Sequence, residues 1–217
     1  MRRFAVIGLG SFGMALAVEL ARLGQRVIAV DTDPGKARDA QTFVEQALVA
    51  DATDGASLAA MGIGECDVAV VSLGGRTDAA TLVVLHLTRL GVREIVCKAL
   101  TEDHADILAR VGATRVVFPE KEMAQRVAQR IGSRGVLDYL TLSPGFSVVE
   151  LAPPKALVGK SLRELDLGRT YGVQVLAVKE LIPERVVIAP SADQVIKDSD
   201  ILIVLGPEES LQRLQEA

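Results

Sequence analysis

The chain has 217 residues, 49% of them hydrophobic, 24% charged and 3% aromatic, so it can bury a core of Val, Leu, Ile and Ala in one or two domains. A formal net charge of -4 excludes the basic footprint of a nucleic-acid binder, and so few rings leave no platform for stacking bases. The longest apolar runs, such as Ile201 to Gly206, are too short to cross a bilayer, and MRRFAVIGLG leads into a strand pattern rather than a cleavable signal, which points to a cytoplasmic protein.

In chain order, short β-branched runs alternate with helical periods. FAVIGLG precedes a helix from Phe12 to Leu23, RVIAVD a helix near Lys36, QALVAD a helix from Gly55, DVAVVS a helix from Thr77, and EIVCKA a helix from Glu102; TRVVFP follows. Strands without inside/outside alternation are buried on both faces, and their alternation with helices predicts right-handed crossovers into a doubly wound, parallel, Rossmann-like sheet of six strands. Asp54 and Thr77 read as helix N-caps. From Pro119, EKEMAQRVAQRIGSRGVLDYL reads as one long helix broken near Gly132 and Gly135. After Leu142 the strands FSVVEL, VQVLAVK, RVVIAP and ILIVLG come with two short helices, LRELDL and ESLQRLQ, which predicts a smaller α+β lobe. The boundary is expected near Arg134, giving a nucleotide-binding domain over 1–134 and a second lobe over 135–217. Cys66 and Cys97, far apart in apolar surroundings, read as packed thiols.

Val6 to Asp33 is a nearly gapless dinucleotide fingerprint. Gly8 suits the tight turn out of the first strand, Gly10 lets backbone approach a pyrophosphate, and Gly13 lets the first helix pack closely on the sheet. The N-terminus of that helix then faces the phosphates with free N–H groups. Asp31 ends the second strand, where an acid accepts hydrogen bonds from a ribose 2′-OH and repels a 2′-phosphate, which disfavours NADP. Three further strand ends point into the same crevice: Asp51, Ala52 and Thr53 after the third; Ser72, Leu73, Gly74, Gly75 and Arg76 after the fourth; Lys98 after the fifth.

Hydride transfer would need an acid or base near a nicotinamide, and the candidates are His86, His104, Lys98 and Tyr139. His86 lies within an apolar helix, where a structural role fits better, and His104 starts the fifth helix with no evident partner beyond Lys98. No P-loop, GxSxG, HExxH or zinc spacing is present.

FAVIGLGSFG, VIAVDTD, ALVADATD, VVSLGG, VCKA and VFPEKEMA, in this order and spacing, resemble the RCK (KTN) domain of gating subunits of Ktr and Trk potassium-uptake systems, the Ktr type most closely. VGKSLRELDLGRTYGVQVLAVK and the later DILIVLG resemble the C-terminal RCK lobe, so the resemblance covers essentially the whole chain. It implies a regulatory nucleotide, ATP or ADP and in some members NAD(H), and a non-enzymatic subunit. Such a subunit dimerises, assembles into an octameric ring, and sits at the inner face of the membrane on a potassium-translocating subunit. Carried over by position, it assigns the adenosine end to Asp31, Thr32, Asp33, Asp51 and Ala52. Leu73, Gly74 and Gly75 fall to ribose and phosphate, with Lys98, Ala99, Leu100 and His104 along the phosphate side. The glycine loop contributes Gly8, Gly10, Ser11, Phe12 and Gly13. Glu120 would approach the nucleotide from a partner subunit or help hold Mg²⁺, Ca²⁺ or Na⁺. In several members the second lobe binds cyclic di-AMP, here at Arg169, Ile188, Ala189 and Pro190. Ktr-type members commonly carry Arg where this chain has Ser11, which counts against tight γ-phosphate recognition, and Arg76 is the candidate replacement cation. Two other readings stay open: a small NAD-dependent oxidoreductase, and a nucleotide-sensing subunit of another transporter or of a transcription system.

Overall fold

The computed structural model describes residues 1–132 and 136–217. The chain divides into two compact units, Met1–Lys121 and Glu122–Ala217. That division falls within a helix that starts at Pro119, whereas the boundary expected at Arg134 lies, with Gly135, outside the described residues.

In the first unit the strands are β1 (Arg3–Ile7), β2 (Arg26–Asp31), β3 (Gln46–Val49), β4 (Val68–Val71), β5 (Glu94–Lys98) and β6 (Arg115–Val117). Between them run α1 (Ser11–Arg22), α2 (Pro34–Gln41), α3 (Gly55–Ala60), α4 (Thr77–Arg89) and α5 (Glu102–Val111), and α6 (Pro119–Gly132) follows. All six strands are parallel in the order β3-β2-β1-β4-β5-β6, as the buried, unalternating strands predict. Pleating sends Ala5 and Ile7 to one face, among Ile28, Leu58, Val83, Leu87 and Leu108, and Val6 to the other, among Leu9, Ala17, Val27 and Ala29. Each fully buried Ile or Leu contributes about 1.5–3 kcal/mol of transfer free energy, so both faces anchor the sheet.

Local chemistry sets the helix starts. Asp33 caps α2 by accepting from Gly35 N at 2.8 Å, with Pro34 in the first turn, and Asp54 caps α3 through Ala56 N at 3.1 Å. Thr77 is not the cap expected of it. The loop before α4 turns at Gly74 (φ 62°) and closes with Arg76 N donating to Leu73 O, so Arg76 occupies the cap position and Thr77 is already helical.

The second unit contains β7 (Val136–Ser143), β8 (Phe146–Leu151), α7 (Leu162–Leu165), α8 (Leu167–Tyr171), β9 (Gln174–Leu181), β10 (Glu184–Ile188), β11 (Ile201–Pro207) and α9 (Glu208–Gln215). Its sheet is antiparallel, β10-β9-β11-β8-β7, over a core of Val149, Leu151, Val178, Ile196, Leu202, Val204, Leu211 and Leu214. The strand β7 corrects the expectation of helix through this stretch. It pairs with β8 across a two-residue turn, Pro144–Gly145, in which Gly145 adopts φ 80°, a conformation that favours glycine. Within this unit the buried Glu180 carboxylate accepts from Arg185 Nε, from Lys197 Nζ at 3.1 Å and from Gln194 Nε2 at 3.3 Å. The two cations, Arg185 first and then Lys197, hold its carboxyl at about 2.

Candidate nucleotide crevice

The order of the parallel strands reverses between β1 and β4, and a crevice of about 390 Å³ opens there beyond their carboxyl ends. The glycine loop between β1 and α1 forms one wall. A Cβ on Gly8 (φ 93°) would lie 2.3 Å from Ser72 O, and one on Gly13 would lie 1.9 Å from Gly8 O, so the loop presses on β4 and the helix presses on the loop. At Gly10 a Cβ would meet nothing within 4 Å: this backbone faces open crevice, leaving room for a phosphate against it. Gly10 is also the N-cap of α1 and no side chain caps it, so the first N–H groups of the helix stay available to an anion.

Asp31 closes β2 and serves two neighbours. Its Oδ2 accepts from Leu9 N at 2.6 Å and its Oδ1 from Asp33 N at 2.9 Å, tying the glycine loop to the second strand. Each carboxylate oxygen keeps a further lone pair for a ribose hydroxyl. Lys36, on the first turn of α2, brings Nζ to 3.7 Å from Asp31 Oδ2 and lines the crevice as well. Beside Asp31, after the neighbouring strand β3, Asp51 Oδ1 accepts from Thr53 N at 2.9 Å and from Thr53 Oγ1 at 2.7 Å. Those bonds hold its carboxyl below the usual range, and the charge of Arg76 adds to the effect. At the far end Lys98 Nζ donates to Glu120 Oε1, and that bond, before any other cause, lowers the Glu120 carboxyl. The lysine side chain is 11% exposed and the glutamate 62%.

The crevice gathers Gly8, Gly10, Ser11, Phe12, Asp31, Thr32, Asp51, Ala52, Thr53, Ser72, Leu73, Gly74, Arg76, Lys98 and Glu120 of the residues expected from sequence. Lys36 was not among those expectations; the signal for it was a lysine three residues after the Asp33 cap, which sets it on the first helical turn. Others of the set do not line the crevice. Gly13 backs the loop, Asp33 caps α2, Gly75 lies on the turn before α4, Ala99 is buried, and Leu100 faces solvent. His104 shares the inward face of α5 with Leu108, four residues on. It is 4% exposed, and its two ring nitrogens have no hydrogen-bond partner among the described residues. The His86 ring packs against the start of α3, where a Cβ on Gly55 would come within 2.7 Å of its Nδ1. Of the acid–base candidates among the described residues, Lys98 lines the crevice and His86 and His104 do not; Tyr139 is on β7, with its side chain outside the described residues.

In the second unit Arg169 is exposed on α8, Ile188 ends β10 in solvent, and Ala189 takes a left-handed φ of 49° with its N–H donating to Leu176 O at 2.8 Å; Pro190 follows. Among the described residues no group of three or more His, Cys, Asp or Glu could hold a metal ion, so Glu120 by itself does not make a metal site. Cys66 and Cys97 are buried, and burial pushes the Cys97 thiol up to about 12. No helix among the described residues is long and apolar enough to cross a membrane.

A parallel sheet with an open glycine cradle at its switch point, followed in sequence by a small antiparallel lobe, defines a Rossmann-type fold with the domain order of RCK proteins. A TrkA-N domain matches residues 4–119 and a TrkA-C domain residues 146–217, and the chain belongs to this family together with the Ktr system potassium uptake proteins. It is 37% identical over 215 residues to Ktr system potassium uptake protein C of Bacillus subtilis strain 168, covering 99% of this chain and 96% of that protein. It is 34% identical over 210 residues to Ktr system potassium uptake protein A of Vibrio alginolyticus, covering 97% and 94%. Among solved structures, the GsuK channel bound to NAD shares the fold, with a TM-score of 0.54 at 23% identity over 100% of this chain and 38% of that one.

Proposed function

We propose that this protein is the nucleotide-sensing regulatory subunit of a Ktr-type potassium uptake system. The observation that carries the reading is the open backbone at Gly10, framed by Asp31 and Lys98 in one crevice of a chain whose full-length relatives are potassium uptake proteins. A cradle shaped for phosphate and ribose fits sensing, in which the ligand acts through its unequal affinity for two states of the protein. The ligand is an adenine nucleotide, ATP, ADP or NAD(H), with its ribose at Asp31 and its phosphates between Gly10 and Lys98. The subunit dimerises and forms an octameric ring that controls a membrane-embedded potassium-translocating subunit from the cytoplasmic face. A cation, Mg²⁺, Ca²⁺ or Na⁺, at Glu120 would need ligands beyond this one carboxylate, from nucleotide phosphates or a second subunit. Cyclic di-AMP at Arg169, Ile188, Ala189 and Pro190 is the corresponding proposal for the second lobe.

A thermal-shift panel of ATP, ADP, NAD, NADH and cyclic di-AMP on the purified protein tests the reading. A ligand that binds only the native state stabilises it by about 2.7 kcal/mol at a hundred times its Kd, so the sensed nucleotide raises Tm in a concentration-dependent way. A flat response to all five would remove nucleotide sensing from the account.

A further inference from the structure

Both lysines of the crevice face a carboxylate: Lys36 lies 3.7 Å from Asp31, and Lys98 donates to Glu120. The second pair is unequal. Lys98 ends β5, and its side chain is 11% exposed, so the fold fixes the position of its ammonium. Glu120, 62% exposed on the first turn of α6, can give its carboxylate to water at little cost. An anion that enters the crevice between Gly10 and Lys98 therefore replaces Glu120 rather than drawing Lys98 away.

We propose that Glu120 is a built-in competitor for the phosphate position of this crevice: its carboxylate and a nucleotide's phosphate take turns on Lys98. The inference rests on the nucleotide reading of the crevice and adds a specificity rule to it. Ligands with a phosphate that reaches Lys98 must break the Lys98–Glu120 pair, and a nucleoside need not. The exchange trades one ion pair for another, so it opposes binding only modestly, yet it makes the state of Glu120 depend on the ligand. Because Glu120 lies on the first turn of α6, and α6 runs across the division between Met1–Lys121 and Glu122–Ala217, the exchange leaves an unpaired carboxylate at the start of the helix that crosses that division.

Calorimetric titration of the full chain with adenosine, AMP, ADP and ATP in the presence of a chelator tests this, using wild type, Glu120→Gln, Lys98→Met and the double variant. Removing a competing carboxylate of an exposed pair should tighten ADP and ATP by roughly three- to fivefold in Glu120→Gln while leaving adenosine unchanged. In the Lys98→Met background the same substitution should have no effect, because the contested cation is gone. A gain that is equal for adenosine, or that persists without Lys98, would mean general charge relief and overturns the exchange. So does wild-type affinity for ADP that Glu120→Gln leaves unaltered, an outcome that keeps the nucleotide crevice intact. If no member of the series binds wild type, the nucleotide reading falls and the exchange falls with it.

Discussion

Asp31→Asn separates the two duties of the acid that ends β2. The carboxylate accepts from Leu9 N at 2.6 Å and Asp33 N at 2.9 Å through different oxygens. An amide offers one oxygen, so one of those N–H groups loses its acceptor and faces an NH₂ instead. If Leu9, which is 2% exposed, is the one left unpaired, the ligand-free protein should lose about 1–3 kcal/mol, the usual cost of a buried unsatisfied donor. The ribose meanwhile loses a charged acceptor worth about 1.5–3 kcal/mol, or roughly ten- to a hundredfold in Kd. Urea denaturation without ligand reads the first effect. Calorimetry with ADP and 2′-deoxy-ADP reads the second: wild type should prefer ADP, and the variant should bind both weakly and alike. A variant that keeps its preference for the 2′-hydroxyl would show that Asp31 is not the ribose acceptor. Unchanged stability without ligand would show that the amide oxygen keeps the bond to Leu9 N and releases only the exposed Asp33 N–H.

Three further outcomes follow from particular contacts. Gly13→Ala places a methyl 1.9 Å from Gly8 O, a backbone atom with nowhere to go, so Tm should fall by the equivalent of at least about 1–3 kcal/mol, and an unchanged melt would contradict the close packing of α1 on the loop. Glu180 has a folded pKa of about 2 against an ordinary value of 4.5, a depressed carboxylate, so it stabilises the fold above about pH 5 and that contribution is lost as pH falls toward 2. Glu180→Gln should flatten the decline in stability between pH 5 and pH 3 measured by urea titration; an identical slope would remove the assignment. Arg76 lines the crevice near Asp51, where Ser11 offers no cation, so Arg76→Gln should weaken ATP more than ADP in parallel titrations, and equal losses would show that it does not read the third phosphate.

The parallel sheet was legible because its strands are contiguous apolar runs between helical periods, and the glycine loop because each glycine answers a separate steric demand at Ser72, at Gly8 or toward the crevice. The strand β7 was not, since Leu137 and Leu140 are three residues apart, a helical step that reads as a continuation of the helix before them; the Leu140–Leu142 alternation and the Pro144–Gly145 turn were the signals that a hairpin begins there. His104 sits four residues before Leu108, and that helical spacing turns its ring into the interior although its position in the chain suggested the crevice. The partnership of Lys98 with Glu120 spans 22 residues, and it depends on β6 pairing beside β5 with Lys98 opposite Val117, a register that local patterns do not encode.

The central claim, that a nucleotide in this crevice controls potassium uptake, is tested most directly by potassium flux into vesicles carrying a Ktr-type translocating subunit with this protein bound. Flux should differ between saturating ATP, ADP and no nucleotide by about fivefold or more, the scale of an ordinary coupling free energy, and Asp31→Asn should abolish the difference at the same concentrations. Flux that stays the same with every nucleotide the protein binds would contradict the account.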